Sequence, residues 1–211
     1  MVNHPLTKRT YMNERFFELK KEKQDRMINA ALKVFSQYGY RHASTDEIIR
    51  DAQISKGLLF HYFESKIGLY AFLYDYATRF VTLELTQNVE PGENDFFVLY
   101  KQILNAKTDS MYRYPYVFLF LDKADEESDQ DALSEIEERR DKYHRLMDAL
   151  KERADITVFG TDTDYVKVWN LLNFTVDGLM LKTVRSDNFR VDFLLEEATE
   201  YVDMIKNMTL K

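Results

Sequence analysis

Four hydrogen-bond donors, Lys56, His61, Tyr62 and Lys66, fall within one short stretch of a 211-residue chain. Two ammonium groups, an imidazole and a phenol at that density suit the anionic oxygens of a phosphate backbone and the acceptor atoms of base edges. An ordinary polar helix face is the alternative, and the residues around the four must decide. Catalysis finds less support. The four histidines are His4, His42, His61 and His144, and the last has no nucleophile and carboxylate with which to form a set. Asp141, His144 and Asp148 share a helix face at spacings of three and four, compatible with a metal but equally with a solvated polar face. Cysteine is absent, which excludes disulfides and thiolate metal sites, and six scattered glycines form no phosphate loop. No catalytic residue, metal or cofactor is expected.

The elements around these donors are short. Ser44 and Glu47 have the spacing of a capping box, so a helix should start there. Ile48, Ile49 and Ala52 give it an apolar side. Ala52-Gln53-Ile54 is long enough only for a turn. Ser55 can then cap a second helix carrying Leu58, Leu59, Tyr62 and Phe63. This is the length pattern of a helix-turn-helix, whose second helix enters the DNA major groove. Leu59 and Phe63 read as core.

Thr45-x-x-Ile48 followed by Ile54-Ser55-Lys56-Gly57-Leu58-Leu59-Phe60-His61-Tyr62-Phe63-x-x-Lys66-x-x-Leu69 resembles the DNA-binding signature of TetR-family transcriptional regulators. Ile28-x-Ala30-Ala31-x-x-x-Phe35-x-x-x-Gly39-Tyr40 resembles that family's first helix, which supports the motif from behind. The resemblance implies a DNA-contacting set of Ser44, Thr45, Ser55, Lys56, Gly57, Leu58, Phe60, His61, Tyr62 and Lys66. Within it, Thr45, Leu58, His61, Tyr62 and Lys66 stand where phosphate is usually met, and Lys56 is best placed to reach guanine N7 and O6. The chain departs from the pattern at four positions. Leu58 has no side-chain donor, and Phe60 replaces a tyrosine, leaving an apolar contact. Gln53 stands where glycine is common, at a position that wants left-handed backbone, and Ile49 where a small residue usually lets the helices approach.

The formal charge of −7 disfavours a nucleic-acid partner only if taken as a single number. Residues 1–69 carry 12 Lys and Arg against 8 Asp and Glu, net +4, and the remainder 17 against 28, net −11. The two parts differ in sign, as expected if only the first faces phosphate. No apolar run approaches the roughly 20 residues that span a bilayer, and the N-terminus lacks the apolar core of a signal peptide. A cytoplasmic protein without membrane contact is expected.

Apolar periodicity predicts an all-α protein of about nine helices. Residues 1–69 are assigned to a three-helix DNA-binding domain with a short N-terminal arm, and residues 70–211 to a helical effector-binding and dimerisation domain. Residues 1–11, with Lys8 and Arg9, read as a disordered arm. Phe16, Phe17 and Leu19 form either a packed turn or an extension of the first helix. That helix covers residues 20–38 and stops at Gly39. Ser65 caps a fourth helix to residue 87, and Asn94 or Asp95 a fifth to residue 112. Pro115 takes the first position of a short sixth helix. Residues 122–131 make an acidic loop before a seventh helix over 130–154.

The eighth helix has two apolar faces, one more than a monomer's surface helix buries. With the ninth, it is expected to pair with a second copy through Val168, Leu172, Val176, Leu179, Leu194, Ala198, Tyr201, Val202 and Ile205. The resemblance also implies a small-molecule effector in the larger domain that shifts the fourth helix. Tyr70, Tyr74, Phe97, Tyr100, Met111, Phe118, Tyr143, Met147, Trp169 and Phe174 supply material for an apolar pocket. The expected function is a homodimeric repressor, released from a pseudo-palindromic double-stranded operator by an apolar or aromatic effector. The alternative is a protein-interaction module of the same fold.

Overall fold

The computed structural model describes residues 14–186 and 189–210. The arm expected at residues 1–11 lies outside them. Nine α-helices make up the described chain: α1 (Lys21–His42), α2 (Thr45–Ala52), α3 (Lys56–Phe63), α4 (Lys66–Asn88), α5 (Phe96–Arg113), α6 (Val117–Asp125), α7 (Gln130–Glu152), α8 (Tyr165–Arg185) and α9 (Val191–Thr209). Among the described residues the only β-type pairing is an isolated bridge between Asp95 and Asp155.

Local chemistry starts most of these helices. Ser44, Ser55, Ser65, Asp95, Asp129 and Asp164 each accept a backbone N–H of the first turn that follows them. At Ser44 only half of the expected box forms. Its Oγ accepts from Glu47 N at 3.4 Å, while the Glu47 carboxylate lies 3.7 Å from Arg50. Phe16 ends a 3-10 turn (Glu14–Phe16) and is fully buried against Phe63, Phe72 and Tyr62. The packed-turn reading of this segment is therefore the one observed.

Gly39 breaks the dihedrals of α1 at φ 67°, and one further turn, to His42, follows it. An added Cβ there would stand 3.3 Å from the Glu127 carboxylate, in backbone that L side chains rarely adopt. Glu127 Oε2 accepts from the next N–H, of Tyr40, at 2.7 Å. Gln53 also sits in left-handed backbone, at φ 55° and ψ 50°, and is exposed. Because only the backbone conformation is at stake there, Gln53→Gly is expected to stabilise the chain by about 1 kcal/mol. Thermal denaturation should show a rise of about 2–4 °C for a chain of this size.

The sixth helix differs from expectation. Pro115 precedes it by two positions, outside the helix, and Tyr116 is the residue flanking its start. Its apolar residues Val117, Phe118, Phe120, Leu121 and Ala124 continue the buried face as far as Ala124. The first acidic residues, Asp122 and Asp125, are therefore helical, and the acidic loop shrinks to residues 126–129. α6 packs along α1, while α4 packs on α5 and α7, and α9 closes over α5 and α8. The core runs without interruption from Phe16 to Ile205. Only Glu64 and Ser65 separate α3 from α4, so a displacement of α4 is passed directly to α3.

Candidate nucleic-acid interface

α2 and α3 hold the donors identified in the sequence, and their buried faces set the orientation of each. Ile48, Ala52, Leu59 and Phe63 pack inward. Ser44, Ser55, Lys56, Gly57 and His61 consequently face solvent, with Thr45, Leu58, Phe60 and Lys66 partly exposed. Tyr62 is different. It is 8% exposed, with its ring edge-on to Phe16 at 5.8 Å and to His61 at 5.1 Å. Its packing role therefore dominates, and of the expected contacts it has the least surface to offer.

The cations are held by neighbours that an incoming phosphate would replace. Lys56 Nζ lies 3.2 Å from Asp46 of α2, an exposed pair worth little in water. Lys66 is turned toward the end of α1, where Nζ donates to the Arg41 carbonyl at 3.2 Å and sits 4.9 Å from the Tyr40 ring centre. Burial lowers its pKa, against the opposing effect of Asp129 and Glu127. Lys33 Nζ donates to Asp51 at 2.8 Å, tying α2 back to α1. That bond raises the lysine pKa and lowers that of the carboxyl.

Gly57 is the most informative position on this face. A Cβ added there meets nothing within 4 Å, and its φ is not positive. Neither packing nor backbone geometry within the chain requires a glycine, although glycine weakens a helix by about 1 kcal/mol relative to alanine. Ser55 caps the same end of α3 with its Oγ on Leu58 N at 3.2 Å. A helix N-terminus with no side chain at Gly57 and flanked by Lys56 is an anion-accepting surface on which an approaching backbone could come close.

Known proteins bear on this surface directly. The model for bacterial regulatory proteins of the tetR family matches residues 27–72, from the middle of α1 through α3 into α4. Over this segment the chain is similar to the TetR family. An uncharacterized HTH-type transcriptional regulator, YuxN of Bacillus subtilis (strain 168), is 36% identical over 95 residues, 41% of this chain. The match spans about a third, 32%, of that relative's length. Two solved structures share the fold along nearly the whole chain. The ketosteroid transcriptional regulator KstR2 of Mycobacterium tuberculosis superimposes with a TM-score of 0.65 at 16% identity, covering 92% of this chain and 97% of that one. A TetR family transcriptional regulator from Chloroflexus aurantiacus J-10-FL gives 0.59 at 19% identity, covering 94% and 98%.

The residues expected to line an effector pocket are mostly filled core. Tyr70 and Tyr74 stack edge-on with Phe120, and Tyr70 with Phe35. Burial raises the pKa of both phenols, and the Tyr70 hydroxyl has no partner among the described residues. Tyr100 packs at right angles to Trp169 and donates to Asn173 at 3.1 Å. Phe97, Met111 and Phe118 are buried as well, and Met147 packs against the core. Tyr143 alone of the set borders an open cavity, between α4 and α7. Phe174 is 74% exposed, so it lines no interior pocket.

The residues assigned to a dimer interface also lie elsewhere than expected. Val168, Leu172, Val176 and Leu179 of α8 and Leu194, Ala198, Val202 and Ile205 of α9 are buried within the chain itself. They hold α8 and α9 to each other and to α5. Only Tyr201 of that set is at the surface. The most exposed apolar residues left outside are Leu171 and Phe174 on α8 and Phe193, Met204 and Met208 on α9.

Proposed function

We propose that the chain is a DNA-binding transcriptional regulator, acting as a homodimeric repressor that a small effector releases from a pseudo-palindromic operator. Residues 1–69 would provide the DNA-binding unit and residues 70–211 the effector-binding and dimerising one. The observation that carries this reading is the exposed start of α3, where Ser55, Lys56 and an otherwise unexplained Gly57 lie side by side. Two such surfaces, about 34 Å apart in a dimer, would read successive major grooves. Movement of α4 would alter their spacing, since two residues join it to α3.

Three features support a second copy on the outer face of α8 and α9. Leu171, Phe174, Gly178 and Leu181 follow one line along α8 at helical spacing. Phe174 is largely exposed, and a Cβ on Gly178 would meet nothing within 4 Å, so a neighbouring helix has room to approach. Met204 and Met208 extend the apolar surface onto α9.

Capture of fragments of the source genome, followed by binding at several salt concentrations, tests the regulator. Lys56→Ala and Lys66→Ala are each expected to weaken binding and to reduce the slope of log K against log salt by about one. Unchanged affinity and slope would remove this face from DNA. If no fragment is enriched, the helical interaction module becomes the better reading.

A further inference from the structure

We infer that the cavity between α4 and α7 binds an amphiphilic anion, an apolar body of aliphatic or aromatic carbon bearing one carboxylate. This deepens the proposed effector response and rests on it for its regulatory meaning, though not for binding itself. The cavity holds about 420 Å³, within the range of small-molecule sites. Leu83, Tyr143 and Leu146 give it apolar walls, and Leu83 is a half-exposed leucine with no evident packing role. The remaining wall is less polar than its composition suggests. Thr82 Oγ1 donates to the Thr78 carbonyl at 2.7 Å and Thr86 Oγ1 to that of Thr82 at 2.8 Å, so both hydroxyl protons are directed into α4.

The charge at the rim is one-sided. Arg79, Arg139 and Lys142 all border the cavity and no carboxylate does, in a part of the chain whose net charge is −11. Asp75 stands behind them and already shows how the arginines take a carboxylate. Its two oxygens lie 2.8 Å from Arg139 Nε and 2.9 Å from Arg79 Nε, bridging α7 and α4. Arg139 Nη1 is further engaged by the Glu135 carbonyl at 3.1 Å. The Arg79 side chain is 73% exposed, and together with Arg139 and Lys142 at the rim it would receive the ligand's carboxylate. An occupant here would push α7 from α4 or loosen the Asp75 bridge. Either change acts on the helix that leads directly to α3.

The test uses the full chain with octanoate, decanoate and naphthoate, each against its neutral alcohol or amide of the same carbon body. Isothermal titration should give at least tenfold tighter binding of an acid than of its neutral counterpart, accompanied by a rise in melting temperature. Lys142→Ala and Arg79→Ala should lower acid affinity at least fivefold each, and Lys142→Ala should do so without changing the melting temperature of the free protein. Leu83→Trp should fill the cavity and abolish binding. If no acid binds, or acids and neutral analogues bind alike, the inference is overturned. Captured genomic DNA titrated in the same samples separates the two readings. Binding of the acids with no DNA enriched sinks the regulator and leaves the cavity assignment standing, whereas DNA bound with no acid binding does the reverse.

Discussion

Gly57→Leu is expected to abolish binding to the captured operator while leaving the folded chain at least as stable as before. The reasoning starts from what the glycine does not do. It needs no unusual backbone, since its φ is not positive, and nothing beyond its chain neighbours and its own helix backbone stands within 4 Å of where its Cβ would be. Leucine in place of glycine in a helix should therefore stabilise by about 0.5–1 kcal/mol through propensity alone. On the DNA side the effect has the opposite sign. The start of α3 carries Ser55 and Lys56 beside Gly57, all exposed, and a helix N-terminus meets phosphate best when its N–H groups can approach closely. An isobutyl group there would hold the backbone off by several ångströms, and binding should fall by about two orders of magnitude or more, since most affinity is carried by phosphate contacts. The measurement pairs thermal denaturation with titration of labelled operator. A variant that melts no lower and still binds would show that α3 does not dock through its N-terminus. Gly57→Ala should give an intermediate loss, which separates steric exclusion from misfolding.

How far these conclusions could be read from residues alone depended on the range of the interaction. Helix starts were legible because a capping side chain and the N–H it accepts lie within three residues, as at Ser44, Ser55, Ser65 and Asp95. The left-handed Gln53 was legible through the resemblance alone, because it stands where the similar turns commonly carry glycine. Long-range choices were not. Periodicity revealed that α8 has two apolar faces but not which of them meets α5 and α9, because either face satisfies the same 3.6-residue pattern. Val168, Leu172 and Val176 took the interior, and Phe174 was left outside. Lys66 was placed correctly at the start of α4, yet its partners Tyr40 and Arg41 come from the far end of α1. The α4–α7 cavity depends on Leu83 and Tyr143 being brought together by the packing of separate helices, and no local pattern announces it. Apart from Tyr143 and the exposed Phe174, the aromatic residues assigned to a pocket fill the space between helices instead, the commoner fate of large side chains at helical spacing.

The reassigned faces of α8 predict opposite outcomes for two substitutions only two residues apart. Phe174→Glu is expected to leave a folded monomer, whereas Val176→Glu is expected to prevent folding. Val176 is 1% exposed, and a glutamate there would bury an unpaired carboxylate in the apolar core, a loss of several kcal/mol against a total stability of about 5–15 kcal/mol. Phe174 is 74% exposed and contributes little to the chain's own core. Its loss should therefore not lower the helical signal of the single chain. In a symmetric dimer the same substitution acts twice, because a two-fold interface presents each residue to its partner's copy of the patch. Two carboxylates would then enter an apolar contact between Leu171, Phe174 and the open surface at Gly178, where unpaired charge is least tolerated. Sedimentation should shift from dimer to monomer. Operator affinity should fall by at least two orders of magnitude with it, because one α3 reads only a half-site and the gain from tethering the second is lost. A Phe174→Glu chain that still sediments as a dimer would place the interface elsewhere. If it were monomeric but bound DNA with unchanged affinity, the dimeric mode of operator recognition would be wrong even though the face was right.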